Sequence, residues 1–257
     1  MIEILIEPEM SLKGVRMLQA LADTAPVPCT VVDAPTGDAK TLMIYGVGDP
    51  RRKLIAEKHR ASGGRLVLFD LGYFAKEIFV GAMRLSIDHW HPQKYLDRAP
   101  LDSSRWDALH IPLRNDYNPK GPIILVGLGP KTRAILDDKS WEQQTFQRLK
   151  KRFPKREIIF RPKPRRPHPH LPCKIDGKSP IEAVLKGASL VVVKHSNVAL
   201  DACVAGIPFE CEDGAARWLD GRAYSVENRL ELLWRTQWFN WRAEEAEGAW
   251  KMIERCL

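Results

Sequence analysis

The chain has 257 residues, 44% of them apolar, and a formal net charge of +8. That apolar share excludes a disordered chain, and the length allows one large α/β domain or two small ones. No apolar run is long enough to cross a bilayer, and the first residues are acidic where a secretory leader would be basic, so a cytoplasmic protein is expected.

Apolar runs predict strands at residues 2–6, 29–32, 41–45 and 65–70, and helical patterns predict helices at 12–22 and 51–61. Strands alternating with helices are the mark of βα units around a parallel sheet. From 76 to 118 the pattern weakens into a loop-rich region that holds Arg84-Leu-Ser-Ile-Asp-His-Trp-His-Pro-Gln93. Asn118-Pro-Lys-Gly-Pro122 reads as a linker. A second series follows, with strands at 123–126, 157–161, 190–194 and 209–212 and helices at 140–153, 180–187 and 197–205. A Pro-rich basic loop occupies 162–172. The tail, 225–257, is helical, with Leu230, Leu233, Trp234, Trp238, Trp241, Trp250 and Ile253 on an apolar stripe suited to packing. The expected architecture is α/β: two Rossmann-like domains, 1–118 and 119–257, facing a cleft, with the C-terminal helices packing back on the N-terminal half.

Positive charge concentrates between Lys150 and Lys178, opposed there only by Glu157 and Asp176, which points to phosphate on a small donor or along a nucleic acid. The five cysteines form no C-x-x-C pair and predict free thiols. The most informative stretch is 189–208, a β-branched strand that turns at Lys194-His-Ser-Asn197 into a short helix ending at Gly206 with Pro208 beyond. Free N–H groups and the positive dipole end at such a corner favour an anion, although the same residues also serve ordinary capping. In doubly wound sheets ligands lie outside the carboxyl ends of the strands, so Gly127, Gly129 and Lys131, then Arg161 and Lys163, then Lys194, His195, Ser196 and Asn197 are expected to face one crevice. The glycine loop lacks the spacing of a P-loop, and Pro130 removes a donor, which argues against a kinase. Gly46-Val-Gly48 is a fragment of a dinucleotide fingerprint and reads as a tight turn.

Four segments carry a resemblance over about half the chain: Ile-Leu-Val-Gly-Leu-Gly-Pro-Lys-Thr (124–132), Ile-Ile-Phe-Arg-Pro-Lys-Pro (158–164), Ser-Pro-Ile-Glu-Ala (179–183) and His-Ser-Asn-Val-Ala-Leu-Asp-Ala-Cys-Val-Ala-Gly-Ile-Pro (195–208). Together they resemble the C-terminal half of GT-B glycosyltransferases, in particular small phage-encoded and bacterial capsule-type sugar transferases. The resemblance implies that Arg161, Lys163, His195, Ser196 and the backbone at Asn197 hold donor phosphate. It also implies that Asp201, where the family usually has Glu, meets donor hydroxyls. Lys163 departs from the usual His. Glycosyl transfer needs the leaving phosphate neutralised, and fixed cations with a helix terminus can do this. No D-x-D motif is present, so no metal or cofactor is expected beyond a nucleotide-sugar co-substrate.

A carboxylate or imidazole must then take the acceptor's proton, and the N-terminal half offers Asp70 at a strand end or Asp88 beside His89. Each also has a plain structural reading, as turn cap or edge strand. Arg84, His91, Arg165 and Arg166 are the candidate acceptor-binding residues. His89 with His91, and His168 with His170, invite a metal reading that no neighbouring Cys or Glu cluster supports. Three functions remain open: transfer to a hydroxymethylated pyrimidine in double-stranded (phage) DNA, slightly favoured by the charge; transfer to a surface glycan or small sugar; and nucleic-acid binding without catalysis. The oligomeric state is not specified by the sequence.

Overall fold

The computed structural model describes residues 1–75, 81–129, 132–133, 140–164 and 166–257. The chain divides into two compact units, Met1–His110 with Leu230–Leu257, and Ile111–Arg229.

The first unit is built on a six-stranded sheet in the order β11-β5-β4-β3-β1-β2. Strands β1 (Ile2–Leu5), β2 (Cys29–Val32), β3 (Thr41–Tyr45) and β4 (Arg65–Leu71) run parallel. β5 (Met83–Ile87) is antiparallel to β4, and β11 (Asn240–Trp241) is antiparallel to β5. Leu42, Met43 and Ile44 are fully buried, as expected of a strand covered on both faces. Leu5, Leu42, Ile44, Leu66 and Leu68 pack with Ala56 of helix α2 (Pro50–Ala61). Helix α1 (Leu12–Asp23) buries Met17, Leu18 and Leu21, and starts at Ser11, whose Oγ accepts the Gly14 N–H at 3.4 Å. The chain's last helix, α8 (Ala246–Cys256), packs on α1, where Trp250 Nε1 donates to the Leu21 carbonyl at 2.9 Å. A short helix α3 (Ser104–Asp107) brings Trp106 edge-on to Phe74, ring centroids 5.3 Å apart.

The second unit holds a five-stranded, all-parallel sheet in the order β10-β9-β6-β7-β8. Its strands are β6 (Ile123–Val126), β7 (Ile158–Arg161), β8 (Lys174–Ile175), β9 (Leu190–Val193) and β10 (Phe209–Cys211). Ile123, Leu125, Ile158, Phe160 and Val192 pack with Trp141, Phe146 and Leu149 of helix α4 (Trp141–Arg152). Helix α5 (Ile181–Leu185) precedes β9, and helix α6 (Val198–Ala205) follows it with six residues buried: Ala199, Leu200, Ala202, Cys203, Val204 and Ala205. Gly206 ends α6 in the left-handed region at φ 78°, and a Cβ there would stand 2.7 Å from the Arg114 carbonyl. Helix α7 (Val226–Gln237) carries the chain out of this unit.

Two expectations change. The single cut at 118/119 is replaced by divisions after His110 and Arg229, because β11 extends the first unit's sheet and α8 covers α1. The loop-rich region 76–118 contributes β5, whose buried Arg84 and Ser86 interrupt the apolar run that would have marked it as a strand. The C-terminal helix does belong to the N-terminal unit, and its Trp250, like Trp241 of β11, is a buried packing residue. No helix among the described residues is long and apolar enough to cross a membrane.

Candidate functional site

In the second unit the connection from β6 runs to β7 on one side, whereas β9 connects to β10 on the other. The order therefore reverses between β6 and β9, where a doubly wound sheet opens a crevice at its carboxyl edge. The loop after β6 and the corner after β9 border it. His195 Nε2 and Thr132 Oγ1 are hydrogen-bonded at 3.1 Å and join these two loops. Lys194 Nζ lies 3.9 Å from Glu212 Oε2 and 5.8 Å from the Trp141 ring centroid, and Trp141 Nε1 donates to Glu212 Oε1 at 2.8 Å. Ser196 Oγ accepts the Val198 N–H at 3.4 Å, Asn197 is the residue before α6, and Asp201 lies in that helix's first turn.

The loop after β6 is fixed from below. Gly127 donates its N–H to the Arg161 carbonyl at 2.8 Å, and a Cβ there would stand 2.9 Å from Phe160 Cζ. Only glycine permits that approach. Glu142, fully buried in the first turn of α4, accepts the Leu128 N–H at 3.0 Å and an Arg133 Nη2 hydrogen at 2.5 Å. Arg133 Nη1 donates in turn to the Pro167 carbonyl at 3.0 Å, so one carboxylate organises the ends of two strands.

Arg161 and His195 lie on the same sheet edge, at the ends of β7 and β9 on either side of β6. Arg161 is 9% exposed, and its Nη1 donates to the Asp176 carbonyl at 2.8 Å, clamping β7 to the segment after β8. Beside it Pro162, Lys163, Pro164, Arg166, His168, Ile175, Asp176, Gly177 and Lys178 line a cavity of about 610 Å³. A Cβ built on Gly129 would stand 3.7 Å from Lys163 Cγ, so this cavity opens next to the glycine loop. Lys131 and Arg165 lie outside the described residues.

In the first unit the order reverses between β1 and β3. Glu7, 4% exposed after β1, pairs there with Arg51 and with Arg52 Nε at 3.3 Å. Both arginines open α2, whose cap Asp49 accepts the Arg51 N–H at 2.8 Å. That bond is the main cause holding the Asp49 carboxyl below its ordinary range. Gly46, at φ 62°, makes the turn expected of it.

Asp70 sits at the carboxyl end of β4 opposite Arg84 on β5. Arg84 Nη2 donates to Asp70 Oδ2 at 3.1 Å, and Oδ1 accepts the Leu71 N–H at 2.7 Å. Arg84 is buried, so its expected role in acceptor binding gives way to orienting Asp70. Asp88, His89 and His91 fall elsewhere. Because β5 is antiparallel, its end meets the amino edge of the parallel strands, away from any switch-point crevice. There Asp88, at φ 54°, accepts the Leu66 N–H at 2.8 Å and Arg65 Nε at 2.7 Å, which is a strand-closing role. His91 is buried at 4% exposure. Among the described residues no group of three or more His, Cys, Asp or Glu side chains could hold a metal ion.

Thr132, Glu142 and Glu212 are site residues the sequence did not single out, while His168 and Lys178, noted there for a metal reading and as the end of the basic run, line the cavity. Thr132 stands in the quoted glycine motif, but Glu142 finds Leu128 across 14 residues with no local signal beyond its first-turn position.

The sequence matches no protein-family model and no curated protein. Several solved structures share its fold, two KpsC structures among them. One is Thermosulfurimonas dismutans KpsC, β-Kdo 2,4 transferase, at TM-score 0.55 and 14% identity over 91% of this chain and 89% of that one. The other is Thermosulfurimonas dismutans KpsC, β-Kdo 2,7 transferase, at TM-score 0.59 and 13% identity over 100% of this chain and 99% of that one. The α/β architecture on two sheets is thus a fold shared with these two transferases, in line with the fold that the sequence resemblance implied.

Proposed function

We propose that the chain is a glycosyltransferase that moves a sugar from a nucleotide-activated donor to a hydroxyl of a saccharide acceptor. The observation that carries this reading is the His195–Thr132 bridge at the topological switch point of the second unit, which joins the loops after β9 and β6. In the proposed reaction the bond between the anomeric carbon and the phosphate oxygen breaks, and the nucleotide leaves with the electron pair. Lys194, His195 and the backbone at the start of α6 supply positive potential to that departing phosphate. The Gly127–Gly129 backbone lets it approach closely. Ser196, Asn197 and Asp201 keep their proposed places on the donor side, with Lys163 as an outlying cation. The acceptor oxygen attacks the anomeric carbon and loses its proton to a carboxylate, for which Asp70, oriented by Arg84, is the candidate at the carboxyl edge of its sheet.

A saccharide acceptor replaces hydroxymethylated DNA as the favoured one, since both structural neighbours are named as Kdo transferases and neither name mentions a nucleic acid. The test is transfer from a panel of nucleotide sugars to saccharides, read by mass spectrometry. His195→Ala and Lys194→Ala are each expected to lower turnover about 100-fold with circular dichroism unchanged. Full activity in both variants, or transfer from no nucleotide sugar, would overturn the reading. The net charge of +8 keeps nucleic-acid binding as a second reading. Tight duplex DNA binding that weakens steeply with salt, without sugar transfer, would favour it.

A further inference from the structure

We propose that the cavity at the carboxyl ends of β7 and β8 is an oxyanion subsite for a saccharide bearing carboxylate or phosphate groups, separate from the β6–β9 crevice. The assignment to a saccharide rests on the sugar-transfer reading; the binding of an oxyanion does not. Its volume of about 610 Å³ is within the range of small-molecule sites, roughly 300–1,000 Å³. Arg166, His168 and Lys178 bring basic side chains to it, Lys163 lies on its side towards the glycine loop, and Asp176 is the one carboxylate among its described lining residues.

That carboxylate is already engaged. Asp176 Oδ1 accepts the N–H groups of Ser179 at 3.0 Å and Lys178 at 3.2 Å, and Arg161 Nη1 stands 3.5 Å away. These contacts, the Ser179 bond foremost, hold the Asp176 carboxyl below its ordinary range. The net field in the cavity is therefore positive, and an anion entering it does not displace a partner from Asp176.

The walls hold their shape without a ligand. Pro162 and Pro164 restrict the backbone on one side, and a Cβ on Gly177 would touch Pro162 Cγ at 3.4 Å. His168 lies edge-on to the buried Phe160, centroids 5.6 Å apart, with Nδ1 and the Pro169 carbonyl at 3.0 Å. Arg161 clamps the far side through the Asp176 carbonyl. Among its described residues the lining contains no Phe, Tyr or Trp on which a nucleobase could stack, while Ile175, 41% exposed, offers an apolar surface fit for the C–H face of a sugar ring. This composition favours an acidic saccharide over a nucleotide.

Calorimetry on the full chain at low salt tests the subsite with four probes: an N-acetylneuraminic acid trisaccharide for carboxylate, mannose 6-phosphate for phosphate, neutral maltotriose and uridine diphosphate. At least one charged saccharide is expected to bind, to outcompete maltotriose, and to lose roughly tenfold or more in affinity in the Arg166→Glu, Lys178→Glu double variant. Whichever charged probe binds names the source of the oxyanion. Its affinity is expected to be unchanged in His195→Ala, and uridine diphosphate affinity unchanged in the double variant. Binding of neither charged probe, equal binding of maltotriose, or retention of full affinity by the double variant would overturn the proposal. Loss of uridine diphosphate from the double variant would also overturn it, by assigning the cavity to the nucleotide. If a charged saccharide binds here while no nucleotide sugar is transferred, the subsite stands and the transferase reading falls.

Discussion

Glu142 carries more of the candidate crevice than any residue the sequence marks. It is fully buried, and one of its oxygens holds both the Leu128 N–H and Arg133. Glu142→Ala would leave that N–H without its acceptor and a largely buried guanidinium without its carboxylate, a loss of about 2–3 kcal/mol measurable by urea unfolding. Glu142→Gln keeps an oxygen for Leu128 and is expected to cost less. In the first unit Arg105 donates to both oxygens of Glu245, at 2.8 and 3.1 Å, and lies 3.8 Å above the Trp241 ring. Burial alone would raise the Glu245 carboxyl, but the Arg105 bonds and the Arg242 N–H outweigh it and hold it below the usual range. A carboxyl lowered in the fold stabilises fully above its unfolded pKa of about 4.3, and that contribution is lost as the pH falls through the lower folded value. Thermal melts between pH 5 and 2 are therefore expected to show an acid-side loss that Glu245→Gln reduces. At this scale the sequence shows what is local: Gly206 as a stop and the corner at Lys194–Asn197. It does not show Asp70 bound to Arg84 or Asp88 bound to Arg65, because those partners meet only once β4 and β5 pair.

Among the elements, the strands legible in the sequence are those with continuous apolar runs, such as Ile123–Val126 and Leu190–Val193, which lie inside parallel sheets. Three strands were not legible, each for a physical reason. β5 carries buried Arg84 and Ser86, β8 has two exposed residues, and β11 has two residues between helices. Asp88 and His89 were catalytic candidates as a carboxylate beside an imidazole, and the antiparallel direction of β5 places Asp88 at the amino edge of the parallel strands instead. The helical tail was legible, and its stripe became the surface that α8 lays on α1. Trp250 is 3% exposed and hydrogen-bonded to the Leu21 carbonyl. Trp250→Ala is expected to cost about 3–5 kcal/mol by denaturant unfolding, and a substitution that costs under 1 kcal/mol would mean that α8 is peripheral to the first unit.

For the whole molecule, the division of the chain makes a claim that fragments can check. Residues Ile111–Arg229 contain the complete five-stranded sheet and its core. Expressed alone, this segment is expected to unfold cooperatively, with slow amide exchange in β6, β7 and β9. A fragment of residues 1–118 lacks β11 and α8, loses the helix packed on α1, and is expected to aggregate or exchange fast. The reverse result would restore the single cut at 118/119.

The carboxyl edge of β6 and β9 is proposed to bind an activated nucleotide. That proposal is tested most directly by melting the intact chain against a panel of nucleotide sugars, with His195→Ala alongside. A ligand that binds the folded state raises the midpoint with the logarithm of its concentration. At least one nucleotide sugar is expected to do so in the natural chain and to lose most of that effect in His195→Ala. No shift with any nucleotide sugar, or an equal shift in both proteins, would contradict the account.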